Sequence, residues 1–233
     1  MIAERVAAVR ERIARAAARA GRAPAEITLV AVSKTHPPEA IREVFAAGIR
    51  HFGENKVQEA EGKVVALEDL HAAGLRWHMV GHLQSNKGRR AAEIFDAVDS
   101  VDDLTVAKRL ELGAEHARKH LPILVQVDLG HEATKFGLDE AHLFPLLEQL
   151  RGYKAVHADG LMVLPPLFTD PEEARPFFRR LRELLDEARQ RGLVLGRELS
   201  MGMSDDFEVA IEEGATQVRV GTALFGERVK ALG

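Results

Sequence analysis

The stretch ITLVAVSK, residues 27–34, decides the fold. It is a β-branched apolar run without polar alternation, the pattern of a strand buried on both faces. Thr35, His36, Pro37 and Pro38 follow at once as turn and helix-start residues, so Lys34 falls where the strand stops and its loop begins. A lysine there is half-desolvated, which lowers its pKa and frees the amine to act as a nucleophile or imine former. The plainer alternative is a strand end that points into water. Position alone favours the plainer one, and the rest of the chain has to move it.

Seven more strand signals follow, at residues 49–53, 76–81, 96–101, 122–129, 155–164, 199–201 and 217–221. Each carries a helix signal behind it. PPEAIREVFAAG opens on proline and closes on Gly48. Asp102 or Asp103 can cap the helix that runs to about His120, and Asp139 opens the next. Residues 171–190 form a helix ended by Gly192, residues 205–213 one ended by Gly214, and a last helix starts near Thr222. Strict β-α alternation means parallel pairing with right-handed crossovers. Eight units in this length predict an α/β protein of the (β/α)8 TIM-barrel type. The second and seventh strands are weak, and losing both would leave an open doubly wound sheet. Ahead of the barrel, Val6, Val9, Ile13 and Ala17 at helical spacing predict an extra N-terminal helix closed by Gly21. No linker or low-complexity run divides residues 1–233, which read as one domain.

Composition removes several function classes. At 46% hydrophobic residues the chain can fill a core, and with no cysteine it has neither a disulfide framework nor a thiolate metal site. A net charge of -4 with mixed signs argues against general nucleic-acid binding. No apolar run approaches membrane-spanning length, and the charged amphipathic N-terminus, with Glu4 and Glu11, is neither a signal nor a transit peptide. The expectation is a soluble cytoplasmic protein. Low Asn and Cys with abundant Arg and Glu is a heat-adapted composition, in which a surviving asparagine such as Asn55 has more reason to be there.

Barrel active sites lie at the C-terminal strand ends. Lys34, Glu54, Asn55, Asp128, Gly130, Arg219, Gly221 and Thr222 all fall there, as do residues 82–87 and 200–204. SMGMSDD places Ser204 at a helix N-cap, and RVGTALFG places Gly221 and Thr222 at the start of another helix. Either alone is an ordinary cap or turn glycine. Together they form a phosphate cradle of backbone N–H groups facing a strand-end lysine, which favours a phosphorylated ligand with a carbonyl. Arg219 lies two residues before Gly221 and so points into the barrel. Buried, it needs an acceptor: a structural carboxylate, or a ring nitrogen of the ligand. An arginine does not readily give up its proton, so a pyridine nitrogen held by it stays unprotonated and the ring is a poor electron sink.

Other signals are weaker. His78 and His82 are spaced as a helical metal pair but sit on a strand and a loop without a third ligand, so no metal site is expected. Asp205 and Asp206 read as partners of a helix dipole. Lys87, Arg89 and Arg90 read as a solvated face. Trp77 and Met79 alternate with His78, so one set packs on the helices and the other points inside.

The segments AVSKTHPPEAI, HFGENKVQEA, WHMVGHLQSNK, GLMVLPP, LSMGMSDDFEVAIEEG and VRVGTALFG resemble the YggS/PROSC (PLPBP) family of pyridoxal 5'-phosphate (PLP) homeostasis proteins over nearly the whole chain. The resemblance implies the barrel of the N-terminal domain of alanine racemase and an internal aldimine between PLP and Lys34. It places Ser204, Gly221 and Thr222 on the phosphate, Arg219 near the pyridine nitrogen, Asn55 close to the ring, and His78 and Met79 as neighbours. Two departures stand out: His82 follows Gly81 where many members carry proline, and TKFG (residues 134–137) replaces a KSG-type sequence. Neither touches the expected contacts.

The resemblance implies a monomeric PLP carrier without robust turnover, whose partners are PLP and PLP-dependent client enzymes, with no nucleic acid and no membrane. A racemase-class enzyme is the alternative. It needs a second base, a tyrosine supplied by a separate β domain, whereas here the chain ends soon after the last strand and the one tyrosine, Tyr153, lies at the far end of a helix. A residual racemase-type activity stays open. A class I aldolase would explain Lys34 and the phosphate loops but not the match of every motif.

Overall fold

The computed structural model describes residues 1–130 and 136–226. The run at residues 27–34 becomes β1 (Thr28–Val32), and Lys34 stands just beyond its end. Before it comes α1 (Ile2–Arg19). After it come α2 (Pro38–Ala46), β2 (His51–Glu54), α3 (Val57–Ala66), α4 (Glu68–Ala72), β3 (Arg76–Met79), α5 (Gly88–Ile94), β4 (Ala97–Val101) and α6 (Leu104–His116). The second half holds β5 (Leu121–Asp128), β6 (Leu138–Asp139), α7 (Leu143–Leu150), β7 (Val156–Val163), α8 (Arg175–Gln190) and β8 (Glu198–Ser200). It ends with α9 (Phe207–Glu212), β9 (Gln217–Val220) and α10 (Thr222–Phe225).

The strands pair in the order β4-β3-β2-β1-β9-β8-β7-β5, and a β4–β5 pairing closes the ring. Every pairing is parallel. The weak second and seventh strands are present as β2 and β8, so the barrel is closed. One strand was not expected. The two-residue β6 joins β5 at Val127 and Asp128, beyond the point where β4 stops pairing at Val125.

Side chains alternate along the strands and so build two cores. Facing outward, Ala31, Phe52, Trp77, Val98, Ile123, Leu161 and Val218 belong to one apolar cluster with the helices. Facing inward, the register sets Val30 beside His51 and Arg219, Gly53 beside His78, and Met162 beside Ser200. The interior is therefore partly polar.

Helix α1 buries Val6, Val9, Ile13, Ala16 and Ala17 against α2, α9 and α10. Burying a Val or Ile side chain is worth about 1.5–3 kcal/mol. Its ion pairs Arg12–Glu208 (2.8 Å) and Arg19–Glu212 (2.7 Å) are half-exposed and contribute about 0–1 kcal/mol each, so apolar packing holds the helix. At the start of α6, Asp103 rather than Asp102 is the cap, accepting from the Val106 N–H at 2.9 Å. Residues 171–174 form a 3-10 turn ahead of α8 rather than its first turn. Among the described residues no helix is long and apolar enough to cross a membrane.

Candidate functional site

The C-terminal ends of the strands surround a cleft of about 310 Å³. Its polar wall comes from four strand ends: Lys34 after β1, Asn55 after β2, Ser204 and Asp205 after β8, and Arg219, Gly221 and Thr222 on β9 and the start of α10 that follows it. Val32, Val80, Leu164 and Met203 supply the apolar wall. The volume lies at the small end of the ~300–1,000 Å³ usual for small-molecule pockets.

Lys34 is half-buried, on a tight turn in which the His36 N–H donates to the Ser33 carbonyl at 3.0 Å. Thr35 sits in that turn with φ of 67°, a left-handed conformation unusual for a β-branched residue. Asn55 is set by close packing: a Cβ on Gly81 would lie 2.4 Å from the Asn55 carbonyl oxygen, so the β3 loop approaches only because Gly81 has no side chain.

Arg219 is 4% exposed and donates from Nη1 to Ser200 Oγ at 2.6 Å and from Nη2 to the Val163 carbonyl at 2.9 Å. Both acceptors are neutral. Among the described residues it makes no ion pair, so the structural-carboxylate alternative is not the one adopted. Burial pushes its pKa down to about 10, with Asp99 and Asp206 pulling the other way, so it is still a cation at neutral pH. Two of its five N–H donors are used in these bonds.

Gly221 is the N-cap of α10, and Thr222 and Ala223 occupy its first turn, where backbone N–H groups have no intrahelical acceptor. Ser204 is placed differently from expectation. Helix α9 begins at Phe207 with Asp206 at its N-cap, so Ser204 lies in the preceding turn. Asp206 reaches back, and its Oδ1 accepts from the Met203 N–H at 2.6 Å. The Ser204 carbonyl accepts from Arg12 Nη2 at 3.3 Å, a brace from α1. Asp206 at the N-cap fits its reading as a dipole partner; burial raises its pKa, against the Met203 N–H and Arg219.

The structure thus brings Lys34, Asn55, Ser204, Arg219, Gly221 and Thr222 to one cleft and leaves His78 and Met79 out of it. Met79 faces the helices with Trp77, 1% exposed in the outer core. His78 points inward but lines a separate cleft of about 220 Å³ at the N-terminal strand ends. There its Nδ1 lies 3.2 Å from Asp99 Oδ2 and its Nε2 2.9 Å from His51 Nδ1. His82 stacks on Phe136 with ring centroids 3.7 Å apart and contacts Asp102 at 3.3 Å. Of the TKFG departure, Thr134 and Lys135 lie outside the described residues. Among the described residues no group of three or more His, Cys, Asp or Glu is placed to hold a metal ion.

Sequence reading missed the layer behind Lys34. Glu54, 0% exposed, accepts from Lys63 Nζ at 2.8 Å and from Ser33 Oγ at 2.5 Å. Burial raises its pKa against both donors. The only signal in the sequence was a glutamate at a strand end, with its lysine partner on the next helix.

A closed parallel barrel with a lysine, an arginine and a helix N-terminus at one mouth defines the class. The family model for the alanine racemase N-terminal domain matches residues 5–229. The chain belongs to the family of pyridoxal phosphate homeostasis proteins. It is 47% identical to the protein of that name from Pseudomonas aeruginosa, covering 97% of this chain and 96% of the relative. With the one from Aquifex aeolicus it shares 44%, covering 97% of each. PipY of Synechococcus elongatus PCC7942, solved with PLP bound, is 44% identical and superposes with a TM-score of 0.85 over 97% of this chain and 100% of PipY.

Proposed function

We propose that this chain binds PLP in the C-terminal cleft and takes part in intracellular PLP homeostasis, as a single-domain, monomeric, cytoplasmic carrier that supplies PLP-dependent client enzymes without robust turnover of its own. The observation that carries the reading is that Lys34, Arg219 and the start of α10 line one cleft of about 310 Å³.

Bound PLP supplies an aldehyde that an amine can capture, a phosphate that needs donors, and a ring nitrogen that accepts a hydrogen bond. The residues fit each of these. Lys34 is the amine. Gly221, Thr222 and Ser204, which line the cleft, would hold the phosphate through first-turn N–H groups and two hydroxyls, and Asn55 would lie beside the ring. Arg219 stays charged, so it would donate to the ring nitrogen without protonating it and would keep the ring a weak electron sink. Tyr153, the chain's one tyrosine, follows α7 and precedes β7, at the end of the barrel opposite the cleft. It does not serve as a second base there, and two-sided proton transfer lacks its partner.

Borohydride reduction of the PLP-loaded protein and peptide mass mapping should put the adduct on Lys34. Lys34→Ala should abolish that adduct and the visible band; an adduct elsewhere sinks the reading. Racemisation of D- or L-alanine above the free-cofactor background, lost in Lys34→Ala, would turn the assignment to the racemase class. Transfer of bound PLP to an apo-enzyme tests the carrier role.

A further inference from the structure

Behind Lys34 lies a charge cluster that touches no part of the cleft yet grips the backbone on both sides of that lysine. Lys63, on α3, is 6% exposed. Its Nζ donates to the Ser33 carbonyl at 2.9 Å, to Glu54 Oε1 at 2.8 Å and to Glu59 Oε1 at 2.7 Å. That uses all three N–H groups of an ammonium. Glu59 in turn accepts from the Thr35 N–H at 2.5 Å. The residues before and after Lys34 are thus held by one cation, directly at Ser33 and through Glu59 at Thr35.

The turn needs this. A left-handed residue at the third position of a tight turn is usually Gly or Asn, and a threonine there is strained unless its surroundings impose it. The Ser33 carbonyl receives two donors, the His36 N–H and Lys63 Nζ. The Ser33 hydroxyl adds a third tie, to Glu54. Glu54 immediately precedes Asn55, so the same cluster anchors the second wall of the cleft.

We propose that Lys63, with Glu54 and Glu59, is the positioning device for Lys34: the buried ammonium holds the strained turn so that the Lys34 amine is presented to a carbonyl ligand in the cleft. The inference rests on the PLP reading above. An amine held in place reacts faster than one free to swing, and a misplacement of about 1 Å can cost ~10²-fold in rate. Among the described residues no hydrogen bond or ion pair joins the cluster to the phosphate end on α10 and the β8 loop, which keeps its own geometry.

The test separates those two ends in the full-length protein. The rate of the borohydride-fixed Lys34 adduct with PLP reads the amine. The Kd of pyridoxine 5'-phosphate, which has an alcohol in place of the aldehyde, reads the phosphate pocket alone. Lys63→Met should slow the adduct by about tenfold or more while that Kd stays within about threefold. Because Lys63→Met strands a buried carboxylate, Lys63→Met/Glu54→Gln is measured beside it and should show the same split. Glu59→Ala, which removes the acceptor of Thr35 at a half-exposed site, should show a smaller slowing. Equal losses in adduct rate and Kd would reduce the cluster to general support of the barrel, and unchanged adduct rates in all three variants would overturn the proposal. A wild-type protein that forms no Lys34 adduct fails the PLP reading itself, a result distinct from any variant outcome.

Discussion

The two ends of the barrel are both polar and are built on opposite principles. At the N-terminal floor the polar groups largely pair with one another, with the buried Gln217 Oε1 left without a hydrogen-bond partner among the described residues. Asp99 holds His78 and His78 holds His51, while Glu198 accepts from Thr216 Oγ1 at 2.7 Å and Gln217 Nε2 at 3.3 Å. At the C-terminal mouth the donors are in surplus. Arg219 has neutral acceptors only, α10 opens with N–H groups at its first turn, and the nearby carboxylate Asp206 is turned back onto the Met203 N–H. A self-satisfied polar layer is a core, and a layer with surplus donors is a site for an anion. Polarity alone does not distinguish the two; partner counting does.

If the mouth is kept rigid by charges buried behind it, removing one of them is the most damaging single change. Glu54 and Lys63 are 0% and 8% exposed at their side chains. Taking one partner from such a buried pair costs about 3–5 kcal/mol, because the other charge stays behind in the interior. Lys63→Met should lower the unfolding free energy, read from the urea midpoint and slope, by that much, and Glu54→Gln in the same chain should recover part of the loss. A double variant no more stable than the single would show that the stranded carboxylate is not the source.

A smaller effect tests the surplus donors. A hydrogen bond to a charged group contributes about 1.5–3 kcal/mol. Ser204→Ala and Thr222→Ala should each weaken PLP binding by about tenfold or more and leave the binding of pyridoxal, which has no phosphate, nearly unchanged. Parallel losses for both ligands would put the phosphate somewhere else and remove the distinction between mouth and floor.

How far the sequence could be read follows from the range of each interaction. Strands buried on both faces announce themselves, so ITLVAVSK was legible, and Lys34 with it, whereas its neighbour β2 gave only a weak signal. The period of two left open which side of β3 faces inward, because Trp77, His78 and Met79 are all buried; the helix layer takes the Trp and Met, and His78 turns inward to Asp99. SMGMSDD held three capping residues in a row, and the one at the N-cap position is Asp206, two places after Ser204, with its side chain turned back to the Met203 N–H. The pairing of Lys63 with Ser33, Glu54 and Glu59 joins two elements through side-chain length and burial, and no local pattern encodes it. Strand β6 is two residues long and had no pattern to show.

The floor carries the gentlest prediction, and it is one of sign. Burial, then the neighbouring His78 charge and Arg76, lower the pKa of His51 from 6.5 to about 4, against Asp99 and Asp96. Burial opposes the charge on His78, yet Asp99 outweighs it and the pKa of His78 is raised. Asp99 and His51 flank the two ring nitrogens of His78 at 3.2 and 2.9 Å. Between pH 6.5 and about 4 the unfolded chain binds a proton at His51 that the folded chain refuses, so stability falls as pH drops through that window. His78 acts the other way: its contribution is complete below its unfolded pKa near 6.5 and is lost as pH rises through its higher folded value. For a half-buried ring the His51 effect is about 1 kcal/mol after solvent screening. The difference in urea midpoint between wild type and His51→Gln should therefore narrow as pH is lowered from 6.5 to 4, since only the wild type pays the His51 penalty. A difference that stays constant across that window would mean that His51 is not shielded by burial in the floor and titrates as it does in the unfolded chain.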